Sequence, residues 1–272
     1  MWKLGIRYEV LPGGSVLQRF ENARRYGFDA VELPGRYFDN YLDELLAHEE
    51  ELALPVSSIS LGFRGSLISS DPETRRACVE DCKRLFALCH RLGAVGLVMP
   101  PVLHMDNHPR FPATVKGRPR EEVEDELILP QLAELGAAAS GLGVQLLLEA
   151  VNPDETDYMF TAAKAVDICR RVNHPGVGVI VDFFHLQWEK GNVPDLIRRA
   201  GAGLQHVHVA EHNRTEPGPG HLDFGPGFAA LRDIGYDGYV VIECRTLSGD
   251  GHDVLPRSAA YLRGLMEEVE ST

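Results

Sequence analysis

Residues 144–149 read Val144-Gln145-Leu146-Leu147-Leu148-Glu149, and residues 177–182 read Val177-Gly178-Val179-Ile180-Val181-Asp182. Each is a nearly continuous apolar run closed by a carboxylate. Apolar residues at successive positions, without alternation, suit a strand covered on both faces, as in a parallel sheet. Further short runs of strand type lie at Leu4–Tyr8, Ala30–Leu33, Val56–Leu61, Val95–Met99, His206–Val209 and Tyr239–Glu243. Between and after them come amphipathic stretches near Val16–Tyr26, Asp39–Ala53, Pro72–Leu92, Arg120–Gly141, Thr161–Val172, Val193–Ala200, Phe228–Ile234 and His252–Val269. Asp71 directly before Pro72 marks a capped helix start. Eight strand–helix repeats predict an α/β fold, a (β/α)8 TIM barrel, with residues 1–272 forming a single domain.

The 272 residues carry 27 Lys and Arg against 40 Asp and Glu, a formal net charge of −13. That balance disfavours a nucleic-acid partner, which needs clustered cations, and suits a small neutral or metal-chelating substrate. No apolar run approaches the ~20 residues that span a bilayer, and Met1-Trp2-Lys3-Leu4-Gly5 lacks the apolar core of a secretory leader. Cys78, Cys82, Cys89, Cys169 and Cys244 are odd in number and show no framework spacing, which points to reduced thiols and a cytoplasmic location. The first three share one stripe of a predicted helix and read as small apolar core residues. Two long connections, Pro100–Pro119 with His104 and His108, and His212–Gly227, follow strands and so belong to the C-terminal face of a barrel, where catalysis occurs in this fold.

The chemistry is written where the strands end. Strands five to eight finish in Glu149, Asp182, His208 and Glu243, each at the close of an apolar run. Carboxylates converging at an apolar mouth repel one another and are costly to bury. A divalent cation removes that conflict, and three carboxylates with one imidazole suit Mn²⁺, Mg²⁺ or Co²⁺ better than Zn²⁺.

Leu148-Glu149-Ala150-Val151-Asn152, Val181-Asp182-Phe183-Phe184-His185, His206-Val207-His208-Val209-Ala210 and Gly235-Tyr236-Asp237-Gly238 leading to Glu243 resemble the xylose-isomerase-like barrels. That family includes ketose 3-epimerases, hydroxypyruvate isomerases and inosose isomerases and dehydratases. The resemblance implies one divalent ion, Mn²⁺ foremost, held by Glu149, Asp182, His208 and Glu243. It also implies a sugar or keto-polyol substrate and a homodimer or homotetramer. The pattern is most similar to the ketose 3-epimerases of the D-tagatose 3-epimerase type. Their further Glu, His and Arg match Glu155, His185 and Arg214 here, implying substrate-binding roles.

Such an enzyme removes a proton from the carbon beside a carbonyl through a cis-enediolate. Glu149 and Glu243 are the candidate acid and base, and the ion is the Lewis acid. Glu9 and Glu32 read as residues supporting the site or rimming the substrate, His206 as a hydrogen-bonded core residue, and His221 with Asp223 as a turn cap. Trp188 and Phe111 are candidate pocket aromatics. Inosose isomerase or dehydratase, hydroxypyruvate isomerase and 3-keto-glycoside chemistry share the same residues and remain alternatives. A metal-dependent abasic-site endonuclease would need further His ligands, for which His104 and His108 are the candidates, and a basic groove.

Overall fold

The computed structural model describes residues 2–36, 39–105, 108–189 and 192–271. Strands β1 (Lys3–Arg7), β2 (Ala30–Pro34), β3 (Val56–Ser60), β4 (Gly96–Met99), β5 (Gln145–Glu149), β6 (Val177–Asp182), β7 (Leu204–Val209) and β8 (Tyr239–Ile242) close into one barrel. All neighbours run parallel in chain order, and β8 returns to β1 with Leu4 opposite Val240. The helices are α1 (Val16–Arg25), α2 (Asp39–Ala47), α3 (Pro72–Arg91), α4 (Arg120–Gly141), α5 (Ala162–Val172), α6 (Phe183–Leu186), α7 (Val193–Ala200), α8 (Gly225–Asp233) and α9 (Gly251–Glu270).

Side-chain caps start several of the helices. Ser15 Oγ accepts from the Gln18 N–H at 3.2 Å, the Asp71 carboxylate from those of Glu73 and Thr74, and Thr161 Oγ1 from that of Lys164. Two predicted boundaries shift by three residues or more. α2 stops at Ala47 and gives way to a 3₁₀ turn at Glu49–Glu51, because three successive carboxylates oppose the negative end of a helix dipole. α8 begins three residues early, at Gly225, where the Asp223 carboxylate accepts the Gly225 N–H at 3.0 Å. Within the 100–119 connection, of which residues 106 and 107 lie outside the described set, Thr114–Val115 pairs antiparallel with Arg118–Pro119. Lys116 and Gly117 turn the chain with φ of 49° and 80°, the positive angles that a two-residue hairpin requires.

The main apolar core lies between strands and helices, with Cys78, Cys82 and Cys89 fully buried in it. Inside the barrel, Ala30, Tyr239 and Val241 form one small plug, and Val98, Leu147 and Ile180 another. Beyond them, toward the strands' C-terminal ends, the interior turns polar: Glu32, Ser58, Glu149, Asp182, His206 and His208 are all buried. Register aligns Asp182 with His208 and His208 with Val241, so alternation places both ligand candidates inside the barrel.

Packing on the outside holds this register. A Cβ on Gly227 would stand 2.2 Å from Cε1 of Phe183, the residue after Asp182. Gly227→Ala is therefore expected to overpack that contact and lower stability by about 1–3 kcal/mol, read as a reduced midpoint in denaturant melts. An unchanged midpoint would show that the ring moves aside at no cost.

Candidate active site and metal centre

The polar interior is built from β2, β3 and β7 upward. Glu32 is fully buried, and its Oε2 accepts from Ser58 Oγ at 2.6 Å, His206 Nε2 at 3.2 Å and His208 Nε2 at 2.9 Å. This bond places a proton on His208 Nε2 and turns Nδ1 the other way. Nδ1 stands 3.7 Å from Glu149 Oε1 and 3.5 Å from Glu243 Oε2. Burial drives the Glu32 carboxyl up, but His208 and His206 outweigh it and hold it well below the usual range. Glu32 thus supports the site from beneath and is not on the rim, whereas His206 is the bonded core residue its position in β7 predicts.

Above this layer, ligand atoms of Glu149, Asp182, His185 and Glu243 all lie within 4.8 Å of one another, and each of these residues is buried. Asp182 ends β6 and accepts the Phe184 N–H at 2.8 Å. That cap starts α6, which turns His185 back toward the site. His185 Nδ1 accepts from the Asn152 backbone N–H at 3.1 Å and side-chain amide at 2.9 Å. Its proton therefore sits on Nε2, 3.4 Å from Asp182 Oδ2. Burial, then the Arg214 charge, pushes the imidazole down to about 3, so it stays neutral.

Two arginines balance the carboxylates. Arg7 Nη1 donates to Glu243 Oε1, and Arg214 Nη2 donates to Glu243 Oε2 at 2.6 Å. Arg214 adopts φ 61°, and its Nη1 also reaches Glu155 Oε1 at 2.8 Å. The loop that carries it folds around the buried Glu211, whose carboxylate accepts the Gly218 and Leu222 N–H groups. Glu155 also accepts from Arg245 at 2.7 Å and from Asn152 at 3.0 Å. Burial raises the Glu243 carboxyl, but Arg214, His208 and Arg7 outweigh it and keep it ionised. Glu149 is pushed up, by burial first and also by Glu243, and Asp182 for the same reasons reaches about 8.

The site opens into a cavity of about 530 Å³ lined by Glu149, Glu155, His185, Arg214 and Glu243. All seven residues singled out from sequence thus converge: five line the cavity, while Asp182 and His208 stand beneath. The sequence reading missed Arg7, Arg19, Tyr8 and Tyr41, which line it too. A polar Arg7 closing an apolar β1 was the signal available for the first. Trp188 is half exposed, and neither it nor Phe111 lines the cavity. Glu9 falls in the 3₁₀ turn after β1, where it accepts from Arg7 at 2.6 Å. Asp223, one residue before the N-cap Phe224, accepts the Gly225 N–H in the turn that enters α8, whereas His221 stacks on His212 with ring centroids 5.6 Å apart. His104 is exposed and turned to the Asp154 carbonyl, away from the ligand cluster.

Glu149 Oε1, Asp182 Oδ2 and His208 Nδ1 are buried and make no hydrogen bond among the described residues. Buried acceptors left in this way are costly. Lone pairs on two carboxylates and one imidazole, with Glu243 beside them, fit a single divalent cation.

A family model for the xylose isomerase-like TIM barrel matches residues 20–265. Ketose 3-epimerase of Arthrobacter globiformis is 30% identical over 270 residues, 98% of this chain and 86% of that protein. 3-Dehydro-D-guloside 4-epimerase of Escherichia coli is 28% identical over 261 residues, 96% of this chain and 99% of that protein. The crystal structure of apo 3-keto-D-glucoside 4-epimerase from E. coli superposes with a TM-score of 0.85 at 28% identity, covering 97% of this chain and all of that one. Among the described residues no helix is long and apolar enough to cross a membrane. With its closed eight-stranded barrel and buried acid–histidine cluster, the chain belongs to the xylose isomerase-like TIM-barrel family, as one of its sugar epimerase and isomerase enzymes.

Proposed function

We propose that the protein epimerises a keto sugar at the carbon beside its ketone, and that the substrate is a ketose inverted at C3. The observation that carries this reading is the convergence of two carboxylates, Glu149 and Glu243, from non-adjacent ends of β5 and β8. Inversion needs one group to take a proton from one face of a carbon and another to deliver a proton to the opposite face. Glu243, kept ionised by Arg7 and Arg214, is the acceptor in one direction. Glu149, whose carboxyl is raised by burial, would bind the ion through one oxygen only and offer the other as the donor; the roles exchange in reverse. His185 presents Nε2–H to a substrate oxygen, and Arg214 with Glu155 orients the hydroxyls. A divalent ion, Mn²⁺ by its donor set with Mg²⁺ or Co²⁺ next, would be held by Glu149, Asp182, His208 and Glu243 and would supply Lewis-acid stabilisation of negative charge on the substrate's carbonyl oxygen.

A second reading, inversion at C4 of a 3-keto-glycoside, is favoured by the end-to-end match with the E. coli 4-epimerase and by a cavity larger than one monosaccharide fills. The chemistry is the same, because C4 is also beside the ketone. Incubation in D₂O with Mn²⁺ separates the two. Deuterium at C3 of ketohexoses or ketopentoses is expected. Label confined to C4 of 3-keto-glycosides would select the second reading, and label at C1 would mark an aldose–ketose isomerase instead.

A further inference from the structure

One corner of the cavity is chemically unlike the rest. Arg19, from the first turn of α1, lies over the Tyr8 ring at 4.7 Å and faces the Tyr41 ring at 5.9 Å. The two tyrosine rings are themselves 5.7 Å apart. Gly13 allows this approach, because a Cβ there would stand 2.8 Å from the Arg19 side chain. The Gly13 carbonyl accepts Arg19 Nε at 3.2 Å and the Tyr8 carbonyl accepts Nη1 at 3.1 Å. These two bonds and two aromatic faces fix the guanidinium while using two of its five N–H donors. The Nη2 group makes no hydrogen bond among the described residues.

Arg19 also lacks a carboxylate partner among those residues. Glu9 is taken by Arg7, and Glu44 accepts the Val16 N–H at 2.9 Å. The cavity's other bonded arginines differ: Arg7 and Arg214 both hold Glu243, and Arg245 holds Glu155. In a protein of net charge −13, a half-buried, pre-oriented guanidinium that lines a ligand cavity and has no carboxylate partner among the described residues is a ready oxyanion seat. Its planar fork matches a carboxylate or a phosphate.

We infer that the substrate carries an oxyanion at the end remote from the reacting ketone, seated on Arg19 between Tyr8 and Tyr41. This names the substrate class for the keto-sugar reading above and rests on it. Sugar acids and sugar phosphates share the chemistry, and the experiment distinguishes them. Deuterium exchange and calorimetric binding are measured for a neutral ketohexose, its 6-phosphate and the corresponding hexuluronate, with wild-type protein, Arg19→Met and Arg19→Lys.

Wild type is expected to prefer one of the two anions by about tenfold or more in kcat/KM and in affinity, as one charge-assisted contact supplies. The preferred anion identifies the source. Arg19→Met should erase most of that ratio, and Arg19→Lys, which keeps the charge without the fork, should erase less. Equal handling of all three sugars by wild type overturns the inference, as does an anion preference that Arg19→Met leaves in place. Exchange on the neutral ketose without anion preference removes this seat and leaves the epimerase reading standing. Anion-selective binding with no exchange on any sugar does the reverse.

Discussion

Glu149→Gln and Glu243→Gln are each expected to lower solvent exchange of the substrate's α-hydrogen by about 10²–10⁴-fold, the usual contribution of a positioned acid or base. The two variants should differ in stability, which makes the comparison informative. Glu149 is pushed toward its neutral form by burial and by Glu243. An amide at that position removes a costly negative charge, so metal-free Glu149→Gln should melt no lower than wild type. Glu243 is the opposite case. It accepts from Arg7 and Arg214, and an amide leaves those two cations without their shared carboxylate. Metal-free Glu243→Gln should therefore melt lower, since removing one partner of a buried ion pair is strongly destabilising. Exchange measured by NMR in D₂O and melts of the same samples check both halves. Full exchange in either variant would remove the two-carboxylate mechanism.

Why were these carboxylates legible in the sequence when much of their surroundings was not? A strand such as Leu146–Leu148 is buried on both faces, so a charge at its C-terminal end must emerge where the barrel opens or be neutralised there. The same logic exposed Asp182, His208 and Glu243. Glu32 obeys a different constraint. It sits inside Ala30-Val31-Glu32-Leu33-Pro34, and its partners Ser58, His206 and His208 are 26, 174 and 176 residues away. Only closure of the barrel brings them together, and no local pattern announces it. Helix α6 escaped because four residues are too few to show a 3.6-residue period. The cavity aromatics were misassigned for a related reason. Trp188 and Tyr41 both occupy connections or helix starts after strands, and which of them leans over the mouth depends on how the connections pack. Arg7 closes β1 as Glu149 closes β5, but a cation there invites no metal and so drew no notice.

Glu32 is the residue on which the imidazole geometry depends, and it supports the second large prediction. Its carboxylate accepts the His208 Nε2–H, and that bond turns Nδ1, the nitrogen that would bind an ion, toward Glu149 and Glu243. In Glu32→Gln the amide nitrogen can donate to Nε2 instead. The proton then moves to Nδ1 and occupies the position from which the imidazole would bind an ion. Groups that orient a metal-binding imidazole in this way typically contribute 10–100-fold in affinity. Mn²⁺ affinity of Glu32→Gln, measured by competition with a chelating dye, is expected to fall by about that factor. Glu32→Ala should fall at least as far and should also lose stability, because Ser58, His206 and His208 lose a common acceptor in a fully buried layer. The two variants separate orientation from simple packing. A purely structural Glu32 predicts that the isosteric Gln binds Mn²⁺ as wild type does while Ala alone is impaired. An orienting Glu32 predicts weakened binding in Gln with the melting temperature of the metal-free protein nearly kept.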